Sequence, residues 1–149
     1  MYLHHELTAR ARAGRPVRVG LIGAGKFGSM FLSQVPTTPG LVVTAIADLD
    51  PARARRACRD VGWAPERVDG TTFLDDAARM MRAGEVDVVV EATGDPAAGL
   101  RHAREAIGSG LHVVMVNVEA DVLAGALLAR EAQAAGVVYS MAYGDQPAL

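Results

Sequence analysis

The sequence is poor in three features that would each point to a particular class of protein. It has a single cysteine, Cys58, which excludes an internal disulfide and a cysteine cluster for zinc and is typical of the reducing cytoplasm. No apolar run approaches the roughly 20 residues that span a bilayer, and the polar segment 1–15 lacks the apolar core of a signal peptide. The net charge of only −2 gives no electrostatic preference for nucleic acid or a membrane surface. We therefore expect a cytoplasmic protein with neither of these partners.

Apolar residues are plentiful, since they make up 50% of the 149 positions beside 21% charged residues. This balance is ordinary for a globular chain, and the length is enough for one domain with a hydrophobic core. A four-residue apolar repeat predicts a short helix over Met1–Gly14, which Pro16 prevents from continuing. The repeated residues are Leu3, Leu7 and Ala11. We expect this N-terminal helix, residues 1–15, to pack on the sheet of a domain formed by residues 16–149.

Beyond residue 16, short apolar runs alternate with segments of helical periodicity. The predicted strands are Val17–Ile22, Leu41–Ala47, a short one around Val68, Val86–Glu91, Leu111–Val116 and Val137–Met141. The predicted helices between them are Lys26–Val35, Pro51–Val61, Asp75–Ala83, Pro96–Ile107 and Ala120–Ala135. Strands that alternate with helices imply right-handed crossovers and a parallel sheet. The sequence therefore predicts an α/β fold, a Rossmann-type doubly wound parallel sheet of about six strands with a leading N-terminal helix.

A glycine-rich turn follows the first predicted strand, in the stretch VRVGLIGAGKFG. Its pattern G-x-G-x-x-G is typical of turns that bind the pyrophosphate of a dinucleotide when a strand precedes it and a helix follows. Gly23 allows the tight turn, Gly25 lets the backbone approach the phosphates, and Gly28 lets the helix pack close to the strand. The first amides of the helix, including those of Lys26 and Phe27, then point at phosphate oxygens, and Lys26 adds a positive charge. The alternative is a tight turn without a ligand.

An acidic residue, Asp48, ends the second predicted strand. It lies near the spacing of roughly 20 residues after the first glycine at which a carboxylate binds the adenosine ribose. Asp48 and the adjacent Leu49 therefore belong to the predicted cofactor site. The carboxylate favours NAD, because the 2′-phosphate of NADP would meet a like charge. Three arginines on the following helix leave NADP open if one folds back toward the ribose, and otherwise form a solvated helix face. They are Arg53, Arg55 and Arg56.

Polar residues also follow the fourth and fifth predicted strands. Thr93 and Gly94 come after one, and Asn117 comes after the other. Ligands of an open parallel sheet lie outside the carboxyl ends of its strands, so these residues are predicted to contact the nicotinamide half of the cofactor. The alternative for Thr93 and Gly94 is that they only shape the turn before the next helix. His102 and His112 show no pattern of metal or acid partners, so we interpret them as structural and predict no catalytic or metal-binding residue.

Five segments of the sequence carry a family resemblance: RPVRVGLIGAGKFGSMF, IADLDPARA, EATGDP, VNVEAD and AYGDQP. They are similar to the N-terminal NAD(P)-binding domain of homoserine-dehydrogenase-like oxidoreductases. The similarity is greater to a bacterial branch with an added SAF-type domain, which includes reductoisomerase-like enzymes that use NADPH. The resemblance implies NADP, whereas Asp48 favours NAD. It also implies that substrate and catalytic residues belong to a second domain, which this chain lacks.

One residue departs from the homoserine dehydrogenase pattern. Those enzymes usually have a lysine directly after the asparagine of the fifth strand, and here that position is Val118. The resemblance therefore does not extend to a homoserine substrate. We expect an oxidoreductase domain that is inactive alone, in which hydride passes between nicotinamide and a carbonyl or alcohol held by the missing domain. The alternative is a stand-alone NAD(H)-binding module for redox sensing or regulation, and a homo-oligomer of the full-length protein is left open.

Overall fold

The computed structural model describes residues 2–142, whose six strands lie in one parallel sheet. The strands are β1 Val17–Ile22, β2 Leu41–Ala47, β3 Thr72–Leu74, β4 Val88–Glu91, β5 His112–Met115 and β6 Tyr139–Met141. The helices are α1 Leu3–Arg12, α2 Lys26–Gln34, α3 Pro51–Asp60, α4 Pro65–Asp69, α5 Ala77–Arg82, α6 Pro96–Gly108 and α7 Val118–Ala135, with a 3-10 turn at Val35–Thr37. The strand order β3-β2-β1-β4-β5-β6 confirms the predicted doubly wound α/β fold with a leading helix.

Helices cover the sheet from both sides because successive side chains of a strand point to opposite faces. On one face, α2, α3 and α4 pack around Leu32, Ile46 and Trp63. On the other face, α5, α6 and α7 pack around Met80 and Leu128. All five side chains are at most 5% exposed. The carboxyl ends of β1, β2 and β4 therefore meet at the edge where the two helical layers diverge.

Aspartate-proline pairs start the two helices that follow β2 and β4, as predicted. The Asp50 side chain accepts a hydrogen bond from the Arg53 amide at the start of α3. The Asp95 side chain accepts one from the Ala98 amide at the start of α6. A proline at the first helical position completes each start, since its missing N–H has no partner to lose there. These caps fix the chain directly beyond the strand ends that form the site.

The prediction of a third strand around Val68 is wrong. Pro65 starts the short helix α4, and Val68 within it is 1% exposed and packs with Cys58 and Trp63. Its apolar character therefore reflects burial under α3 rather than pairing in the sheet. The third strand comes a few residues later, where Thr72–Leu74 pairs in parallel with β2.

Helix α1 forms where predicted but contains no buried residue. It contacts the rest of the domain at Gly40, where an added side-chain carbon would overlap the Leu7 carbonyl. Leu3 and Leu7 line an apolar groove together with Phe31 of α2 and Val114 of β5. Leu3 nevertheless stays 73% exposed, so α1 lies beside the sheet without closing over it.

At the other end of the described chain, β6 pairs with β5 and completes the sheet. Apart from Ala142, the segment AYGDQP lies outside the described residues. None of the helices formed within residues 2–142 is both long and apolar enough to cross a membrane.

Candidate functional site

A cavity of ≈ 390 Å³ opens at the carboxyl ends of β1, β2 and β4. Its volume lies within the range of small-molecule sites, ~300–1,000 Å³. Six residues of the predicted site line it: Gly23, Gly25, Asp48, Leu49, Thr93 and Gly94. The lining also includes residues that the sequence did not assign to the site, among them Asp75, Arg101 and His102. The structure thus brings the ends of three strands that are far apart in sequence into one site.

The three glycines of the turn differ in what surrounds them. Gly23 has a φ of +89°, and a side-chain carbon there would lie 2.9 Å from the Ala92 carbonyl oxygen. A carbon at Gly28 would overlap the Gly23 carbonyl oxygen. At Gly25, the N-cap of α2, a carbon would meet nothing within 4 Å. Gly23 and Gly28 are therefore required by the fold, whereas Gly25 keeps open space on the cavity side.

Four residues of the predicted site do not line the cavity: Lys26, Phe27, Gly28 and Asn117. Lys26 and Phe27 are the first residues of α2, and Phe27 lines the apolar groove beside α1. Gly28 is buried under the turn. Asn117 is 3% exposed. Its side-chain oxygen accepts a hydrogen bond from the Ala120 amide in the first turn of α7, and its side-chain nitrogen donates one to the Asp95 carbonyl at 2.9 Å. Both ends of its amide group are thus engaged in holding the loop after β4 against α7.

Asp48 is almost enclosed, with a side chain that is 2% exposed. Its carboxylate accepts from the Ala24 amide at 2.8 Å and from the Asp50 amide at 2.9 Å, and the Arg53 guanidinium donates to both oxygens at 2.8 and 2.9 Å. Burial alone would raise the pKa of Asp48, but these hydrogen bonds outweigh it and hold the pKa below its usual value. Asp48 is therefore an ionised group that ties the glycine turn to α3.

Among the three arginines on α3, Arg53 is the one that folds back toward the site. It lines the cavity beside Asp48 and its side chain is 51% exposed. Arg55 instead lies over the Phe73 ring, 4.8 Å from the ring centroid. Arg56 does not line the cavity. Arg53 thus places a positive charge next to the acid predicted to bind the ribose. An arginine in this position is what would allow the 2′-phosphate of NADP to bind beside Asp48.

Behind the cavity wall lies a buried acid, Glu91, the last residue of β4 and 0% exposed. Its Oε1 accepts from the Thr93 hydroxyl at 2.5 Å and lies 3.2 Å from His102 Nδ1. Within the described residues, Glu91 Oε2 is buried and has no hydrogen-bond partner. The interpretation that His102 has no acid partner is therefore wrong, whereas His112 is structural, because its Nδ1 accepts from the Val138 amide. The sequence signal for Glu91 is an acid at the end of an apolar strand, VVVE.

The arrangement offers distinct groups to a charged ligand. Gly25, the N-cap of α2, lines the cavity beside an open position, and the N-terminus of a helix suits phosphate oxygens. A carboxylate and a guanidinium at the end of β2 suit a sugar or a sugar phosphate. In the described part of the chain, no group of three or more His, Cys, Asp and Glu side chains is arranged to hold a metal ion. Fold and site together define a dinucleotide-binding Rossmann domain.

Comparison with known proteins assigns the family. Residues 17–142 match the GFO/IDH/MocA family, described as "Oxidoreductase family, NAD-binding Rossmann fold", and the chain belongs to this family. The chain is 36% identical over 131 residues to a 1-deoxy-D-xylulose 5-phosphate reductoisomerase of Xanthomonas euvesicatoria pv. vesicatoria, which covers 87% of this chain and 32% of the relative. It is 40% identical over 81 residues to inositol 2-dehydrogenase 2 of Paenarthrobacter aurescens, covering 54% of this chain and 22% of the relative.

Among solved structures, a homoserine dehydrogenase from Thiobacillus denitrificans superposes with a TM-score of 0.71 at 23% identity, covering 85% of this chain and 29% of that one. This likeness concerns the fold alone, so the predicted relation to homoserine dehydrogenases holds at the level of the shared Rossmann domain. The matches span between 18% and 32% of the length of the curated relatives. The family binds NAD or NADP through this domain.

Proposed function

We propose that this chain is the cofactor domain of an oxidoreductase that moves hydride between a nicotinamide ring and a carbonyl or alcohol substrate. The substrate and the catalytic residues belong to the remainder of a longer protein, and this domain alone is inactive. The family membership and the short share of the relatives' length that the chain matches support this proposal. The cofactor supplies the hydride chemistry, and the residues of this chain bind and orient it.

The observation that carries the proposal is the open position at Gly25. Gly25 lines the cavity, begins α2, and has no atom within 4 Å of the place where a side chain would start. A phosphate group can therefore approach the backbone there and accept from amides at a helix N-terminus. We assign the pyrophosphate to the turn from Gly23 to Gly28, with Lys26 adding charge and Phe27 contributing its amide.

The other predicted residues are assigned along the cofactor from this turn. Asp48 and Leu49 hold the adenosine, as their place at the end of β2 favours. Thr93 and Gly94 line the same cavity as those two residues, so we assign them to the part of the cofactor that adjoins the adenosine rather than to the nicotinamide half expected from the sequence. Asn117 lies beyond β5 and is assigned to the nicotinamide half, where it holds the loop after β4 in place.

We propose that both NADH and NADPH bind. Asp48 is the acid suited to ribose hydroxyls, and Arg53 beside it provides a donor for a 2′-phosphate. The guanidinium also offsets the repulsion that the buried carboxylate would exert on that phosphate. Asp48 alone favours NAD, whereas the resemblance to reductoisomerase-like enzymes favours NADP. The ion pair of Asp48 and Arg53 offers a binding group for each cofactor.

The substrate class we propose is a polyhydroxylated carbonyl compound or the corresponding alcohol. Two relatives are named for such compounds, an inositol 2-dehydrogenase and a 1-deoxy-D-xylulose 5-phosphate reductoisomerase. The second relative aligns with 87% of the chain, which supports the reductoisomerase-like branch. The SAF-type domain is proposed only on the resemblance to that branch. A cytoplasmic location completes the proposal.

Calorimetric titration with NADH and NADPH tests the proposal. The wild-type chain is expected to bind both, and Gly25→Ala to weaken binding by at least about tenfold, or ~1.4 kcal/mol, because the added carbon occupies the phosphate position. The melting temperature of this variant is expected to match that of the wild type, since the carbon meets no protein atom. Gly108→Ala, at another open glycine far from the cavity lining, is the matched control and should bind normally. A wild-type chain that binds neither cofactor overturns the proposal.

A further inference from the structure

Glu91, Thr93 and His102, which we call the Glu91 network, form a hydrogen-bonded group whose polarity is set by the buried acid. An ionised carboxylate can only accept hydrogen bonds. The Thr93 hydroxyl donates to Glu91 Oε1 over 2.5 Å, and His102 Nδ1 lies 3.2 Å from the same oxygen. Beside an ionised carboxylate, Nδ1 makes this hydrogen bond as the nitrogen that carries the proton. A neutral imidazole that carries its proton on Nδ1 leaves Nε2 as an acceptor. With an ionised carboxylate and a neutral imidazole, both groups that the network offers to a ligand, the Thr93 oxygen and His102 Nε2, accept rather than donate.

The network reaches the cavity that also contains the residues assigned to the adenosine. His102 and Thr93 both line the cavity, and the His102 side chain is 20% exposed. The cavity walls come from the ends of β1, β2 and β4, the segment before α5, and α6. No described residue of β5 or β6 is among them. Glu91, Thr93 and His102 belong to β4, the loop after it and α6, whereas Asp48, Leu49 and Arg53, at the end of β2 and the start of α3, line the same cavity. A base attached to the ribose that we assign to Asp48 therefore lies in the cavity that His102 lines.

The buried acid of the network destabilises the folded state, which indicates that it has a function other than packing. Glu91 is 0% exposed, and its Oε2 lacks a partner among the described residues, although a buried polar atom without a hydrogen bond destabilises the folded state. A packing role alone would be served by an apolar side chain, like those of the rest of β4. The acid does something an apolar side chain cannot, because it fixes which nitrogen of His102 carries the proton.

We propose that the Glu91 network recognises the exocyclic amino group of the adenine base, with His102 Nε2 as the acceptor. This inference rests on the proposed dinucleotide binding. The amino group of adenine is an N–H donor, whereas hypoxanthine has a carbonyl oxygen at the same position, which only accepts. Against an acceptor nitrogen, hypoxanthine would leave both groups unpaired. The network therefore makes the cavity selective for adenine over hypoxanthine, with Glu91 as the positioning residue and His102 as the contacting one.

The test compares affinities for NADH and for reduced nicotinamide hypoxanthine dinucleotide by equilibrium titration at pH 8. The wild-type chain is expected to prefer NADH by about tenfold, the value of one hydrogen bond and one unpaired acceptor. Glu91→Gln keeps the shape of the side chain but can donate to Nδ1, which releases Nε2 to carry the proton. The preference should then vanish or reverse. His102→Phe should also lose the preference while still binding both dinucleotides through the glycine turn.

Two controls separate the possible causes. His112→Phe makes the same change at a histidine on β5, outside the cavity lining, and should retain the preference. Nicotinic acid adenine dinucleotide keeps the adenine amino group but lacks the nicotinamide amide. If the Glu91 network discriminates against this analogue and not against hypoxanthine, it recognises the other end of the cofactor and the inference is overturned.

Equal wild-type affinities for NADH and the hypoxanthine analogue overturn the inference while leaving dinucleotide binding intact. The same holds if His102→Phe folds and keeps the full preference. Failure of the wild type to bind any of the dinucleotides overturns the proposed function instead. If Glu91→Gln does not fold, His102→Phe still decides the question, since its imidazole is partly exposed and holds no helix cap.

Discussion

At the scale of single residues, Asp48 has two tasks that depend on the same oxygens. It holds the glycine turn through the Ala24 amide, and it is the acid that we propose binds the ribose hydroxyls. Four hydrogen bonds, one each from Ala24 and Asp50 and two from Arg53, fill the acceptor positions of its carboxylate. A ribose hydroxyl must therefore displace Arg53, the half-exposed partner, rather than a backbone amide. Replacing Asp48 would disturb both the glycine turn and the preference between NADH and NADPH. Replacing Arg53 would change the cofactor preference and leave the hydrogen bond to the turn in place.

We expect Arg53→Ala to weaken NADPH binding by about tenfold, because a charge-assisted hydrogen bond to a phosphate is worth ~1.5–3 kcal/mol and this guanidinium is half exposed. NADH binding should stay within about threefold of wild type or improve, since the Asp48 oxygens become free for the ribose. Calorimetric titration with both cofactors measures the two affinities. Arg59→Ala, an exposed arginine on the same helix, is the control for lost positive charge. An equal loss of affinity for NADH and NADPH would show that Arg53 does not bind the 2′-phosphate.

Residues whose roles follow from a local pattern could be predicted, and those whose roles depend on how elements cross could not. The place of Gly23, Gly25 and Asp48 at the cavity could be predicted from spacing, because the turn and the strand end are short-range features. The contact between Glu91 and His102 joins the end of β4 to the middle of α6. It exists only because α6 folds back over that strand end, which no pattern of residue types along the chain records.

At the scale of secondary-structure elements, the contact between α6 and α7 depends on Gly99. A side-chain carbon at Gly99 would lie 2.9 Å from the Ala120 Cβ and 2.9 Å from Asn117 Nδ2. It would also lie 3.3 Å from Glu91 Oε2. Glycine within a helix usually costs about 1 kcal/mol relative to alanine, so its presence here reflects the close approach of α7. The same approach lets Asn117 hold the loop after β4.

We expect Gly99→Ala to lower the free energy of unfolding by about 1–3 kcal/mol, the usual cost of overpacking, despite the gain in helix propensity. Gly108→Ala in the same helix is the matched control, because a carbon there meets nothing within 4 Å. That variant should be as stable as wild type or more stable by up to about 1 kcal/mol. Urea unfolding followed by circular dichroism gives both values. A Gly99→Ala chain more stable than wild type would contradict the close packing of α6 on α7.

The long elements were easier to predict than the short ones for a physical reason. The bounds of β1 and β2 were predicted as observed, since each is a run of six or seven apolar-rich residues that ends in a turn signal. The strand placed around Val68 was wrong because α4 has five residues and β3 has three. Elements of that length carry too little periodicity to distinguish a buried helical valine from a strand residue.

At the scale of the whole molecule, two ionised aspartates join strands at opposite ends of the sheet. At the carboxyl end, Asp48 ties β2 to the turn after β1. At the amino end, Arg18 of β1 donates to Asp87, just before β4, through its backbone amide at 2.9 Å and its guanidinium at 2.6 Å. The Arg18 side chain is the main cause of a lowered pKa at Asp87, opposed by partial burial. The central strands are therefore held together by groups that require a deprotonated acid.

This arrangement makes the stability of the molecule sensitive to acid. Asp48 and Asp87 have pKa values below the usual one in the folded chain, whereas an unfolded aspartate titrates near about 3.9. The stabilisation is thus complete above about pH 5 and is lost as the pH falls through the folded-state values, because the unfolded chain then binds more protons. We expect the free energy of unfolding to be nearly constant from about pH 7 to 5 and to fall steeply below about pH 4.

Asp87→Asn tests how much of this loss comes from the amino end of the sheet. Because the pair with Arg18 is about one-third exposed, with side chains 43% and 35% accessible, the variant should lose less than about 1 kcal/mol at neutral pH. Its free energy of unfolding should then fall less than that of wild type between about pH 5 and 3, since one of the acids that couples folding to protonation is gone. Asp69→Asn removes a charge from an exposed pair with Arg55 that joins no strands, and serves as the control. Urea unfolding at several pH values measures all three chains, and a steeper acid loss in Asp87→Asn than in wild type would contradict the role assigned to Asp87.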